Sequence, residues 1–590
     1  MRPLVTARPP KAAIFSVLLA ALLAMPHGVY GEPDRPGAIA TLSIVATTDL
    51  HGHLESLPWF AGYLANLRAQ RRGGGGAVVL VDAGDMFQGT LESNLGEGAA
   101  VIRAYNQLGY DAVAIGNHEF DFGPAGPRHV PHEKGDDPRG ALKARARQAR
   151  FPFLAANLEM LPEKKPPPWP NVRPFHLLKK AGIAVGLIGV TTAGTLLATH
   201  PKNVAGLGVR PLADAITEAA RAARAAGAEV VVVASHAGGH CRRFEDPRDL
   251  SSCDGDEEIF QVARALPAGL VDVVAAGHTH QGVAHEVAGV AIVQGFAHGR
   301  AFARVDVAVD KRTGRVVEKR IFAPQTICTS SAPMAPLLLS TSTTASASAA
   351  CAHELYEGRM VSFDPRVAAV LREDVRRVAG LRRRRIGVEI LRSLVRARGT
   401  ESALGNWAAD LMKATTPQAD VAFINGGSLR ADLPKGPLTY GDLHQAFPFD
   451  DGLSLVPLRG RDLKRIIARN LSRTAGILSL SGLFARARCA DRRLVVDLHH
   501  ADGRPVADQA RLWAVTNGYL ASGGDGLLSG IAQGRDPDPT PMRDRFAALL
   551  GRAAPGSSSP VVPLDGSDRR LLDPQKPRLA YPGSRPVRCP

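Results

Sequence analysis

The chain has 590 residues, too many for a single hydrophobic core, and its 45% apolar content is ordinary for a globular protein. A formal charge of +16 suits anionic ligands. Part of that charge lies in the first residues and much of the rest in runs such as Arg382 to Arg385, the mark of a solvated helix face, so nucleic-acid binding is not expected.

The first 31 residues carry a basic stretch (Arg2, Arg8, Lys11), an apolar run from Ala12 to Met25 and then Pro26. That run is short for a membrane span and reads as a signal peptide, cut after Gly31, which predicts an exported, periplasmic or secreted protein with no membrane segment after cleavage. Six cysteines and no CxxC motif favour disulfides over a zinc site. Of the fifteen possible pairings, proximity favours Cys241 with Cys253 and Cys328 with Cys351, leaving Cys489 for Cys589.

From residue 41 to about 325, short runs that are apolar at nearly every position alternate with Ala-rich helical stretches such as Pro211 to Gly227. Such runs are strands buried on both faces, hence a layered α/β domain. Residues 326–387 hold a Ser/Thr/Ala tract and then a helical segment joining the halves. Residues 388–550 mix helices (around Asn406 to Thr415 and Arg459 to Leu471) with strands (around Asp420, Leu453 and Leu512) and read as a second domain. Beyond Gly551 a Pro/Gly-rich tail is expected to be loosely ordered. The basic stretch from Arg128 to Arg150 is an excursion without an evident role.

Five segments of the first domain end an apolar run with Asp, His or Asn: TTDLHGHLE, DAGDMFQGT, IGNHEFD, ASHAG and AGHTH. Asp49 and His51, and likewise His278 and His280, are two apart, so each pair points to one side of an extended segment. Asp85 in a Gly-flanked turn can bridge two cations, while Asn117 and His236 add an oxygen and a nitrogen. This mixed O and N set without thiolate suits Mn, Zn, Fe or Co. Two such ions form a clamp for displacement at phosphorus. Singly, each residue has a plainer explanation, since Asp or Asn beside glycine usually forms a turn and a lone histidine is usually a packed polar group. Repetition at five strand ends weakens that explanation.

The order DLHGH, GDMFQGT, GNHEFD, SHAG, GHTH resembles the calcineurin-like metallophosphoesterases, and INGGSLR, TYGDLHQAFPFDDGL and TNGYLASGGDG resemble the C-terminal domain of bacterial 5′-nucleotidases, the family that includes UDP-sugar hydrolases. The resemblance, over about residues 41 to 550, implies a four-layer metallophosphatase sandwich followed by a smaller α/β nucleotide-recognition domain. It implies two divalent ions (Mn, Zn, Mg, Co or Fe), with Asp49, His51 and His280 around one, Asn117, His236 and His278 around the other, and Asp85 bridging. It implies His118 and Asp121 as a catalytic dyad, Phe449 and Tyr519 as a sandwich for the base, Asp525 for ribose hydroxyls, and Arg398, Asn425 and Arg430 near phosphate and base. Tyr519 stands where the family often has Phe, and His280 where relatives vary. The function implied is hydrolysis of nucleoside 5′-phosphates, with UDP-sugars or 2′,3′-cyclic nucleotides as alternative substrates. A non-catalytic nucleotide-binding surface protein is the alternative of another class.

Overall fold

The computed structural model describes residues 39–552, apart from 329–350, 352, 475, 532–533 and 535–538, together with 574–590. The expected signal peptide, nearly all of the Ser/Thr/Ala tract and residues 553–573 of the tail lie outside the described residues.

Two sheets form the centre of the first half. One has seven strands in the order Arg315–Thr326, Ala301–Asp310, Ile39–Thr47, Ala77–Asp82, Ala112–Ala114, Phe153–Leu154 and Val172–Arg173. The other has six, in the order Gly282–Val287, Val290–Gly295, Val273–Ala276, Val230–His236, Ile183–Thr191 and Phe175–Lys180. Side chains alternate between faces along each strand. Ile44, Val79, Val185, Val232 and Val305 meet in the core between the sheets. Val45, Leu80 and Val113 join a second core with helices Leu57–Gly73 and Ala99–Leu108. Val231, Val233 and Val274 join a third with Leu212–Ala225 and Glu258–Ala265. Helix, sheet, sheet and helix make the four expected layers. Burial on both faces explains the unbroken apolar runs, each such side chain contributing about 1.5–3 kcal/mol.

Helix Pro365–Arg383 begins with Asp364, whose side chain accepts the Arg366 N–H, and with a proline at its first position. It is more than a connector. Val367, Leu371 and Val375 are part of the core that includes Ile102 and Tyr105, Arg103 pairs with Asp374, and Arg382 reaches the buried Glu92 at 2.6 Å.

In the second half, four strands run in the order Leu453–Arg459, Arg511–Asn517, Val421–Asn425 and Leu478–Ser481. Helix Ala403–Ala414 covers one face and Gly460–Leu471 the other. A smaller sheet joins Arg493–His499, Phe484–Ala490 and Leu579–Ala580. That last strand corrects the expectation of a loose tail for residues 574–590. Arg578 is 2% exposed, and its guanidinium bonds both oxygens of Asp410 at 2.7 and 2.8 Å and the Leu480 carbonyl at 2.7 Å. A buried carboxylate waiting for a cation therefore orders a segment whose composition suggested none.

The disulfides are Cys241–Cys253, Cys328–Cys351 and Cys489–Cys589, the pairing that proximity favoured. The basic stretch from Arg128 is matched locally by acids: Arg128 pairs with Glu133 and Asp136, and Lys143 with Asp137. Among the described residues no helix is long and apolar enough to cross a membrane.

Candidate active site

The site begins in the parallel ladders. Thr47 pairs with Asp82, and Ser235 with Ala276, so the loops that follow these strands leave the same edge of each sheet. Five of the candidate ligands then turn the chain themselves: Asp49, His51, Asp85, His278 and His280 have φ of 50°, 49°, 59°, 74° and 60°. Left-handed backbone at residues other than glycine costs on the order of 1 kcal/mol each and collects where geometry serves function. The loops are tied to one another, with Asp49 N–H donating to Gly84 O at 2.9 Å and His51 N–H to Asp85 O at 3.0 Å. Gly116 must be glycine, because a Cβ there would stand 2.2 Å from Asp85 Oδ1.

Glu119, which the motif reading passed over, holds the crossing of two of these loops. Its carboxylate accepts the N–H groups of Asp85 at 2.9 Å, Met86 at 2.7 Å and Gly116 at 2.7 Å. Burial, and next the charge of Asp85, push it up to about 8.

The donor atoms converge. Asp85 Oδ1 accepts the His118 N–H at 2.8 Å, leaving Oδ2 at 3.1 Å from His236 Nε2 and 4.0 Å from His51 Nε2. His51 Nε2 is 3.1 Å from His280 Nε2, which lies 3.4 Å from Asp49 Oδ1. His236 Nε2 is 3.2 Å from both Asn117 Oδ1 and His278 Nδ1. Backbone carbonyls set the tautomers: Nδ1–H of His51 donates to Gln88 O at 2.8 Å and that of His236 to Ala83 O at 2.9 Å. Each Nε2 lone pair therefore faces inward, as metal-binding imidazoles are usually held.

Electrostatics point the same way. Burial works to raise Asp49 and Asp85, yet the imidazoles outweigh it and hold both carboxyls low, Asp85 well below its ordinary range. Burial opposes charge on His236, but Asp85 raises it to about 10. His278 is pushed down to about 3 by burial and by His236. The pocket thus demands positive charge while its crowded histidines resist sharing several protons, and divalent cations meet both conditions. Asp85 with His236 and His278, and Asp85 with His51 and His118, are groups whose ligand atoms lie within 4.8 Å of one another. The residues present fit the metals that the motifs imply.

A cavity of about 340 Å³ opens beside these donors, lined by both halves of the chain. Asp85, Asn117, His118, Asp121, His278 and His280 come from the first half, and Arg398, Asn425, Arg430, Phe449, Tyr519 and Asp525 from the second. Asp49, His51 and His236 lie buried behind it, at 0, 3 and 0% exposure. His118 Nδ1–H donates to Asp121 Oδ2 at 2.5 Å, and burial raises Asp121. Arg430 donates to His118 Nε2 at 2.7 Å, with its guanidinium 5.4 Å from the centre of the Phe449 ring. Asn425 donates to Asp525 Oδ2 at 2.9 Å. The Tyr519 hydroxyl stands 2.7 Å from Asp525 Oδ1 and 2.5 Å from the Leu197 carbonyl of the first half.

The two expected base-stacking rings both reach the cavity, each already in contact with something else. Phe449 lies 5.9 Å from the His118 ring. Tyr519 has one face against Gly524, where a Cβ would come within 2.3 Å of the ring. Sequence reasoning also passed over Gln88, which is 1% exposed on the cavity wall and whose side-chain oxygen and nitrogen have no hydrogen-bond partner among the described residues. Its place inside DAGDMFQGT was the available signal.

The calcineurin-like phosphoesterase family matches residues 42–282, and the 5′-nucleotidase C-terminal domain matches residues 385–531. The endonuclease YhcR of Bacillus subtilis is 26% identical over 515 residues, which cover 84% of this chain but only 38% of that protein. Protein UshA of Yersinia enterocolitica is 25% identical over 521 residues, 82% of this chain and 86% of that one. Among solved structures, a 5′-nucleotidase precursor from Thermus thermophilus superposes with a TM-score of 0.66 at 26% identity, over 87% of this chain and 96% of that one.

Proposed function

Because the chain belongs to the 5′-nucleotidase family, a calcineurin-like phosphoesterase domain followed by a 5′-nucleotidase C-terminal domain, we propose that it is an exported metal-dependent phosphohydrolase acting on nucleoside 5′-phosphates. The observation that carries this reading is the shared cavity, with cation donors and the His118–Asp121 pair on one wall and Arg430, Phe449, Tyr519 and Asp525 on the other. A nucleotide bridging the two walls would place phosphate at the donors and base and ribose at the second half.

Asp49, His51 and His280 would hold one cation, Asn117, His236 and His278 the other, with Asp85 between them. Two cations so held would draw charge from the phosphate oxygens and acidify water. Asp121 fixes the Nδ1–H of His118 and aims Nε2 into the cavity. A protonated His118 can donate from that atom to a phosphate oxygen or to the 5′-oxygen as the phosphorus–oxygen bond breaks. Arg430 presents a planar fork of donors suited to phosphate. Since Arg430 occupies His118 Nε2 in this structure, substrate must enter between them, which a rotation of the second half would permit. Phe449 and Tyr519 would stack the base, each contact contributing about 1–3 kcal/mol, and Asp525 would accept from ribose hydroxyls.

Export is supported by the three disulfides, which persist in oxidising compartments. The test is phosphate release from AMP, UMP, UDP-glucose, 2′,3′-cyclic AMP and ATP, before and after EDTA and with metal restored. AMP and UMP should be hydrolysed, EDTA should stop the reaction, and metal should restore it. Nucleotide binding without hydrolysis of any substrate would replace this reading with the binding-protein one.

A further inference from the structure

We propose that His298 is an additional nitrogen ligand of the cation held by Asp49, His51 and His280, so that the two metal sites differ in chemical preference. This rests on the metal reading of the preceding section but concerns a residue outside the five motifs.

His298 follows strand Val290–Gly295 in a loop with three left-handed residues, Phe296, His298 and Gly299, at φ of 60°, 61° and 64°. The loop is fastened to the first ligand segment. His298 N–H donates to the carbonyl of Asp49 at 2.8 Å, and Gly299 packs so closely that a Cβ would lie 2.3 Å from Ser56 Oγ. Strained backbone at Phe296 and His298, beside a bond to a ligand's own backbone, indicates a position set for a side chain, since a connecting loop needs no such arrangement.

That side chain sits among imidazoles. Its ring centre is 5.3 Å from His280, 5.5 Å from His51 and 4.5 Å from His53. Ligand nitrogens of His51, His280 and His298 lie within 4.8 Å of one another. Two nitrogens bound to one ion at about 2.1 Å stand roughly 3–4 Å apart. His51 and His280, at 3.1 Å, already have that separation, and a side-chain shift of about an ångström brings His298 into it. Partly buried imidazoles gathered edge to edge gain little from one another, whereas a shared cation satisfies their lone pairs together.

With His298 the first site offers three imidazole nitrogens and two carboxylates, while the second keeps Asp85, Asn117, His236 and His278. Nitrogen-rich sites favour Zn, Co or Fe over Mg and Mn. The first site would therefore retain a borderline ion where the second exchanges more freely.

The experiment is a Co(II) and Zn(II) titration of metal-free wild type, His298→Phe and His298→Gln, read by visible absorption of bound cobalt and by metal content after dialysis. Wild type should bind two ions. Both variants should lose at least about ten-fold in affinity for one of them, change its cobalt spectrum, and leave the other ion and the melting temperature of the metal-free protein unchanged. Unaltered affinities and spectra in both variants would overturn the assignment of His298 and leave the metal reading standing. A wild type that binds neither ion would overturn both.

Discussion

Arg430 donates a 2.7 Å hydrogen bond to Nε2 of His118, a residue 312 positions away in the other half of the chain. An arginine can only donate, so this nitrogen accepts, and the proton on the ring sits at Nδ1 beside Asp121. The two side chains thus face the same small volume, one with a guanidinium and the other with the accepting nitrogen of its ring.

Replacing Arg430 by Ala should lower kcat/KM for AMP by about 10²–10³-fold, the scale for losing one preorganised donor to a developing charge. Lys at the same position should recover only part, because the planar fork is lost. Steady-state kinetics decide this, and an Arg430→Ala enzyme within a few-fold of wild type would remove Arg430 from the phosphate site.

Asp121→Asn should leave metal content unchanged while kcat falls about 10²–10⁴-fold, the range for a positioned proton donor. Pairing elemental analysis with kinetics separates this outcome from loss of a cation. A matched fall in bound metal would contradict the dyad role.

The Tyr519 hydroxyl accepts the Asp525 N–H at 2.9 Å and has one proton for two acceptors, Asp525 Oδ1 and the carbonyl of Leu197 in the other half. Tyr519→Phe keeps the ring and removes bonds contributing about 0.5–1.5 kcal/mol each, so KM for AMP should change by less than about ten-fold. Tyr519→Ala also removes the stacking surface and should raise KM further by about ten-fold or more. Equal KM values for the two variants would deny the ring a role in binding the base.

His444 is buried, 1% exposed, and burial followed by the charge of Arg543 pushes it down to about 3. The unfolded chain takes up a proton near its ordinary value of 6.5 that the fold does not accept, so stability is intact above 6.5 and falls as pH drops toward 3. This residue alone accounts for about 1.4 kcal/mol per pH unit in that window. Urea unfolding of the metal-free protein at about pH 7 and about pH 4.5 should show His444→Leu losing less stability than wild type, by about 2 kcal/mol. Identical losses would show that His444 titrates freely in the fold.

Arg578→Ala strands the carboxylate of Asp410 inside the second half and should destabilise it by about 3–5 kcal/mol, while Arg578→Met with Asp410→Leu should cost far less. Urea midpoints of the single and double variants test this, and a harmless single substitution would mean that the segment from 574 contributes nothing to the core.

The layered first half was legible because strands covered on both faces must be apolar at nearly every position, and because five such strands ended in candidate metal ligands. The cavity was legible only through motif order, since Arg430 and His118 have no local signal that joins them. Glu119 escaped because its work is done through backbone N–H groups of residues 33 and 34 positions earlier and of Gly116. His298 escaped because it stands alone after its strand, without a second ligand two residues away. The ordered segment from 574 escaped because composition registers proline and glycine but not a buried aspartate 168 residues earlier.

The helix from Pro365 to Arg383 closes the first half although it follows the Ser/Thr/Ala tract along the chain. A ribosome delivers residues in order, so every strand and every candidate ligand of that half emerges before the helix that packs on Ala99–Leu108 through the Arg103–Asp374 pair. Until it arrives, the outer face of helix Ala99–Leu108 is bare and adhesive, and a fragment ending near residue 325 would carry that face permanently. The first half therefore completes its core only when the first turns of the other half are already being made.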